Sequence, residues 1–352
     1  MLKQLLKKQA LAALLLTQQP AIRHATGFTG TAGYVLLTPA RTYLLTDFRY
    51  LEQARTQAKD CRVIDIAPGI PTVLKEILAP TAAPRRLGFI SSELSYQKYQ
   101  SLKKTLGASY TLIGLPDDPA AWRAIKTKPE IAAIKKALAI NAQAFAAIAR
   151  AIKPGITEIA LRAKLEIALL QNGAERIGFD TIIASGVRGA LPHGVASSKR
   201  LKRGELITID FGGVYQGYHA DETCTISLGP PPERLAKIYS LVREAQLRAL
   251  ALVRPGVAAK EVDRAARDYL TAAGYGRYFG HALGHGVGLE VHERPVLSPH
   301  STDSIVAGMV FTIEPGIYIP RLGGVRLEDV VVCTNSGPKI ISQIKKDTLF
   351  IV

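Results

Sequence analysis

Short apolar runs alternate with amphipathic stretches through the first third of the chain. Residues 13–17 read as a buried strand, and Leu2, Leu5 and Leu6 before them fall on one helical face. Tyr34–Leu37 and residues 43–46 are rich in strand formers and are separated by Pro39-Ala40-Arg41, the pattern of a hairpin. Residues 48–59 then read as a helix, 63–66 as a strand, 73–78 as a helix after Pro71, 87–90 as a strand and 95–106 as a helix. That order predicts a mixed α/β sheet with helices packed on it. Leu115-Pro116-Asp117-Asp118-Pro119 breaks the pattern and places a boundary between an α/β domain over 1–120 and a second domain over 121–352.

A long helix is expected after Pro129, where Ile131, Ile134, Leu138, Phe145 and Ile148 recur at helical spacing. An internal duplication follows. Lys153-Pro154-Gly155-Ile156 opens a helical segment that ends near Gly173, and Arg254-Pro255-Gly256-Val257 opens another, 101 residues on, that ends near Gly274. The first leads to the apolar strand pattern Leu206-Ile207-Thr208-Ile209-Asp210-Phe211-Gly212. The second leads to Val310-Phe311-Thr312-Ile313-Glu314-Pro315-Gly316, whose acid lies 104 residues after Asp210. Two similar α+β halves related by a pseudo-two-fold axis are predicted.

The duplication aligns chemistry as well as structure. Asp210 and Glu314 each close an apolar strand, a costly place for a carboxylate unless positive charge meets it. A second acid follows each on the next strand of an expected hairpin: Asp221, 11 residues after Asp210, and Glu328, 14 after Glu314. Four acids meeting on one axis cannot all ionise without cations among them. His281, His285 and His292 crowd one stretch, and His193 stands about a repeat-length before His292. Four carboxylates and an imidazole fit a pair of divalent metal ions. A hard, oxygen-rich site with one imidazole favours Mn²⁺, with Co²⁺, Fe²⁺ or Zn²⁺ as alternatives. Glycines beside His285 are expected to let backbone approach an ion or substrate. A lone strand-end aspartate is usually a turn or cap residue, but repetition at duplicated positions weighs against that reading. His24, His219 and His300 are given structural roles.

Composition narrows the class. The 352 residues are 47% hydrophobic and 21% charged, which excludes disordered, collagenous and coiled-coil chains. The net charge of +16 is spread: residues 1–122 carry 15 basic and 8 acidic side chains, and no aromatic-interleaved basic block marks a nucleic-acid site. Three scattered cysteines suit a reducing cytoplasm rather than a disulfide framework. The start, with Lys3, Lys7 and Lys8 before a seven-residue apolar run, imitates a signal peptide without its cleavage site. No run is expected to reach membrane-spanning length. The prediction is a soluble cytoplasmic protein.

The ordered motifs Ile209-Asp210-Phe211-Gly212, Tyr218-His219-Ala220-Asp221-Glu222-Thr223, the stretch 281–292, Thr312-Ile313-Glu314-Pro315-Gly316 and Arg326-Leu327-Glu328-Asp329 make the chain recognisable. It resembles the creatinase-like, pita-bread metallopeptidase family that includes aminopeptidase P, prolidase and methionine aminopeptidase. Thr26-Gly27-Phe28-Thr29-Gly30 and Leu45-Thr46-Asp47-Phe48-Arg49-Tyr50 resemble the creatinase/prolidase N-terminal domain, which methionine aminopeptidases lack. The resemblance implies an α/β N-terminal domain, a pita-bread catalytic domain and an Xaa-Pro aminopeptidase or dipeptidase acting on peptides with proline second. It also implies a homodimer. It makes Asp210 a chelating ligand of one metal, His285 and Glu314 ligands of the other, and Asp221 and Glu328 bridges. By the same resemblance Glu314 is the proton acceptor, His193, His281 and His292 contact substrate and the tetrahedral intermediate, and Arg326 supports the site. Cys224 stands where the family often has arginine. The competing hypothesis is a catalytically silent pita-bread protein that binds RNA or protein through its basic surface; the complete ligand set argues against it.

Overall fold

In the N-terminal part, strand formers build one six-stranded sheet. The computed structural model describes residues 6–78, 85–116 and 119–352; Leu2, Leu5 and the Asp117-Asp118 step lie outside them. The chain forms two units, residues 1–122 and 123–352. The first runs β1 (Ala13–Leu16), α1 (Gln19–Thr26), β2 (Tyr34–Leu37), β3 (Thr42–Thr46), α2 (Leu51–Gln57), β4 (Arg62–Asp65), α3 (Ile70–Leu78), β5 (Arg85–Ile90), α4 (Tyr96–Leu106) and β6 (Tyr110–Leu115). Its sheet has the order β4-β3-β2-β1-β5-β6. The expected hairpin is β2–β3, antiparallel with Leu36 opposite Tyr43. Central β1 is buried along its whole length, as a run of Ala and Leu in mid-sheet requires. The helix expected over 48–59 is shorter, because Asp47 turns the chain first: its Oδ1 accepts from the Arg49 amide (3.1 Å) and its carbonyl from the Tyr50 amide (3.0 Å). The pattern also missed α1, and β6, whose run is diluted by Thr111 and Gly114.

The second unit realises the duplication. Helices α5 (Lys128–Ile148) and α6 (Glu158–Gln171) open the first half, and α7 (Glu233–Leu252) and α8 (Ala259–Ala272) open the second. Thr127 and Glu130 form a capping box that starts α5. Helix α7 was not anticipated. Three prolines precede it, and Leu235, Ile238, Tyr239 and Val242 give the helical spacing that could have marked it. After α6 come β7 (Arg176–Ile177), β8 (Ile182–Ser185), β9 (Leu206–Phe211), β10 (Gly213–Tyr215), β11 (Tyr218–His219) and β12 (Glu222–Ser227). After α8 come β13 (Gly284–Gly286), β14 (Glu293–Leu297), β15 (Val310–Ile313), β16 (Gly316–Ile319), β17 (Gly323–Arg326), β18 (Asp329–Thr334) and β19 (Gly337–Ile340), with β20 (Phe350–Ile351) near the C-terminus. The main sheets are β20-β12-β9-β8 and β14-β13-β15-β18-β19. In each half a long antiparallel pair, β9/β12 or β15/β18, is interrupted by a small hairpin, β10–β11 or β16–β17.

The segment Lys128–Ala151 is long and apolar enough to cross a membrane by length and composition alone. Its many alanines raise its hydropathy without forming an uninterrupted apolar run. In the fold it is a core helix, burying Ile134, Leu138, Ile140 and Ala144 along one face.

Candidate functional site

The interrupted hairpins bring the acids together. Asp210 lies within β9 opposite Thr223, and Asp221 immediately precedes β12. Glu314 follows the last residue of β15, and Glu328 immediately precedes β18. The halves are therefore not in strict register: the first acid is inside the ladder in one half and one residue beyond it in the other. The Glu328 amide donates to the Thr223 carbonyl (3.1 Å), so the halves are joined by backbone at the acids themselves. His285 sits in β13, with Nε2 3.2 Å from Glu314 Oε1 and 3.5 Å from Asp221 Oδ2. Among the described residues, potential ligand atoms of Asp221, His285 and Glu328 all lie within 4.8 Å of one another.

The glycines beside His285 serve the sheet rather than a ligand. A Cβ on Gly284 would meet the Thr312 carbonyl oxygen at 2.0 Å, and one on Gly286 the Arg294 carbonyl oxygen at 2.1 Å. They let β13 lie between its neighbours.

Burial sets the charges. It pushes Asp210, Asp221 and Glu328 up, the last two well above the usual carboxylate range, with the neighbouring acids adding to the effect on both. Burial opposes charge on Glu314 as well, but His285 outweighs it and holds Glu314 down at about 2. The same pairing raises His285 to about 9 against its own burial. His285 Nδ1 donates to the Gly286 carbonyl (3.1 Å), the orientation that aims Nε2 at the acids. Among the described residues, two buried oxygens of the acid cluster, Asp210 Oδ1 and Glu328 Oε1, have no hydrogen-bond partner, and neither does Glu222 Oε2 beside it. Such atoms are costly unless a cation meets them, so this donor set fits hard divalent ions.

Arg326 ties the surroundings to the acids. Nη2 donates to Asp210 Oδ2 (2.6 Å), Nε to Thr223 Oγ1 (3.0 Å), and Nη1 to the Tyr318 hydroxyl (3.0 Å) and the Pro192 carbonyl (2.9 Å). Thr223 in turn donates to Glu328 Oε2 (2.8 Å). Tyr318 lies 2.9 Å from His281 Nε2, and His281 Nδ1 donates to the Ala282 carbonyl (2.7 Å). Burial lowers the His281 pKa, so the neutral ring accepts from the tyrosine hydroxyl. Both its nitrogens are then engaged, and it meets a ligand only by releasing Tyr318. His292 stacks edge-on against His285 (4.2 Å between centroids), and His193 stands exposed on the loop after β8. All three histidines line a cleft of about 590 Å³ whose other walls include Phe179, Ile182, Val195, Val291 and Val296. His219 lies outside it, buried with Nδ1 3.2 Å from the Gly288 carbonyl.

Residues 132–335 match metallopeptidase family M24, and residues 1–125 match the creatinase/prolidase N-terminal domain. The chain belongs to family M24. This M24 chain is 40% identical over 348 residues to an Xaa-Pro dipeptidase of Pyrococcus horikoshii, covering 97% of this chain and 95% of the relative. An Xaa-Pro dipeptidase structure from Bacillus anthracis matches with TM-score 0.93 and 40% identity over 100% of this chain and 98% of the other. An X-Pro aminopeptidase structure from Thermotoga maritima matches with TM-score 0.89 and 34% identity, over 97% and 98%. The expected fold is borne out: a creatinase/prolidase N-terminal domain followed by a pita-bread catalytic unit. As an M24 member the protein is a hydrolase that uses divalent metal.

Sequence reasoning missed Tyr318, which links His281 to Arg326; its place two residues after Gly316 in a strand, on the same face, was the available signal. It also left open what serves in place of an arginine at Cys224. That thiol is buried in β12 and pushed up to about 12 by burial, hence inert. The buried cation nearby is Lys346, donating to Glu222 Oε1 (2.7 Å) and Asp329 Oδ1 (3.0 Å). These are the residues that follow Asp221 and Glu328.

Proposed function

We propose that the M24 chain hydrolyses the bond between an N-terminal residue and a following proline, with Asp210, Asp221, His285, Glu314 and Glu328 holding two divalent ions, Mn²⁺ first among them. The observation that carries this reading is the buried acid cluster, two of whose oxygens have no partner, with one imidazole oriented towards Glu314 and Asp221. A silent binding protein would bear the folding cost of those acids without a use for them. Asp210 offers Oδ1, since Arg326 holds Oδ2. Metal bound here supplies Lewis acidity and makes a water acidic enough to attack at neutral pH.

The chain's own residues do the rest. Glu314 accepts the proton of the attacking water and passes it towards the leaving nitrogen. Its low pKa without metal belongs to the charged partner His285. Arg326 works against the effect of burial on Asp210, and His193, His281 and His292 orient substrate at the acids. Proline lacks the N–H by which ordinary peptidases align a bond, and the apolar cleft walls suit its ring. The names of the relatives support this specificity. An Xaa-Pro dipeptide, an Xaa-Pro-Yaa tripeptide and an Xaa-Ala dipeptide, each assayed with Mn²⁺, test it. Cleavage of proline substrates is expected, and Xaa-Ala cleavage at an equal rate would overturn the specificity. The dipeptide-to-tripeptide ratio separates dipeptidase from aminopeptidase.

The same reading includes a homodimer in a cytoplasmic setting, supported by the N-terminal domain match and by three free thiols. Light scattering is expected to give twice 37.9 kDa at micromolar concentration. A value of 37.9 kDa would contradict it.

A further inference from the structure

The loop that carries His193 buries only the small side chain of Ala196 in the core, and its larger apolar side chains stay exposed. Val187, Leu191 and Val195 on it are 56%, 51% and 56% exposed. Something else must fix a histidine whose proposed task depends on position. The loop leaves β8 at Ser185 and returns at Ser197, and both ends converge on one side chain, Glu158. Glu158 Oε1 accepts from the Ser185 amide and hydroxyl, each at 2.8 Å. Oε2 accepts from the Ser197 amide (3.0 Å) and hydroxyl (2.7 Å), and from Arg188 Nε (3.0 Å). Arg188 reaches on from Nη2 to the Val195 carbonyl, closing the loop on itself.

Glu158 is fully buried and is the first residue of α6, a rigid element whose N-terminus favours negative charge. Burial works against the charge, but the hydroxyls and amides of Ser197 and Ser185 outweigh it and hold the carboxyl below its usual range. Five donors meet two oxygens, so only a carboxylate satisfies them all. An amide would present its own N–H groups to donors at one end of the loop.

The second half repeats the device with different residues. Asp263 on α8 accepts from the Leu283 amide (3.1 Å) and takes both Nε and Nη2 of Arg267 (2.8 Å each). Arg267 then donates to the carbonyls of Phe279 and His281 (2.8 Å each). In both halves a carboxylate on the second helix, with an arginine, holds the loop that bears a site histidine.

We infer that Glu158 is a positioning residue that acts through His193, fixing both ends of its loop so that the imidazole stays at the cleft. This rests on the reading that His193 touches substrate. The metal ligands lie on other segments and are expected to keep their affinity.

A double-mutant cycle of Glu158→Gln and His193→Ala on the full chain tests it, with kcat/KM for an Xaa-Pro dipeptide, Mn²⁺ bound per chain and thermal midpoint measured on all four proteins. Glu158→Gln is expected to lower kcat/KM roughly 10–100-fold in the wild-type background, the scale of a displaced substrate contact. In the His193→Ala background it is expected to add almost nothing, with metal stoichiometry unchanged throughout. Equal losses in both backgrounds would overturn the inference, since a purely structural role is additive. A loss with His193→Ala alone would overturn it while leaving the role of His193 standing; a loss with neither variant would overturn both. If Glu158→Gln does not fold, Arg188→Leu, partly exposed and tied to the same carboxylate, carries the cycle with the same outcomes.

Discussion

Glu314→Gln, assayed with metal restored to full occupancy, is expected to fold and to lower kcat for Xaa-Pro hydrolysis roughly 10²–10⁴-fold, the usual worth of a positioned general base. Glutamine matches glutamate in volume and can still accept from Thr312 Oγ1, which lies 3.1 Å from Glu314 Oε1. It can neither take a proton from water nor carry the charge that faces His285. The loss should fall on kcat and kcat/KM alike, because the interaction is made only as the reaction proceeds. Steady-state kinetics with metal content measured on the same sample checks this. Unchanged kcat in a metal-loaded variant would remove Glu314 from the chemistry.

The second large effect is that of the metal itself. Chelation is expected to abolish hydrolysis and lower the thermal midpoint, because a ligand bound only by the folded state stabilises it by about 2.7 kcal/mol at a hundred times its Kd. The protons on the acids set the pH dependence. Burial raises Asp221 and Glu328, and His285 titrates at about 9, so below that pH metal must displace protons to bind. Affinity should therefore rise with pH, and binding near neutrality should release protons to the buffer. Proton uptake, or an affinity that falls as pH rises from 6 to 8 (roughly the range in which histidine titrates), would contradict that assignment.

Much of this was legible in the sequence because the relevant signals are local. A single acid in an otherwise apolar strand stands out, and doing so twice, 104 residues apart, marks a shared site. Helix α7 was legible in principle from its apolar spacing. The two-residue offset between Asp210 and Glu314 was not, since ladder register depends on the small hairpins that interrupt each strand pair. Glu158 was out of reach for a different reason. Its importance lies in partners 27 and 39 residues away, Ser185 and Ser197, which no periodicity reports. The glycines at His285 invited a ligand-centred reading, whereas the close neighbours were carbonyls of adjacent strands.

Titrating Mn²⁺ into chelated protein, while following bound metal and Xaa-Pro dipeptide hydrolysis in the same samples, tests the central claim most directly. The account predicts no hydrolysis without metal, activity that rises with occupancy, and saturation at two ions per chain. Full hydrolysis by the metal-free protein would contradict it.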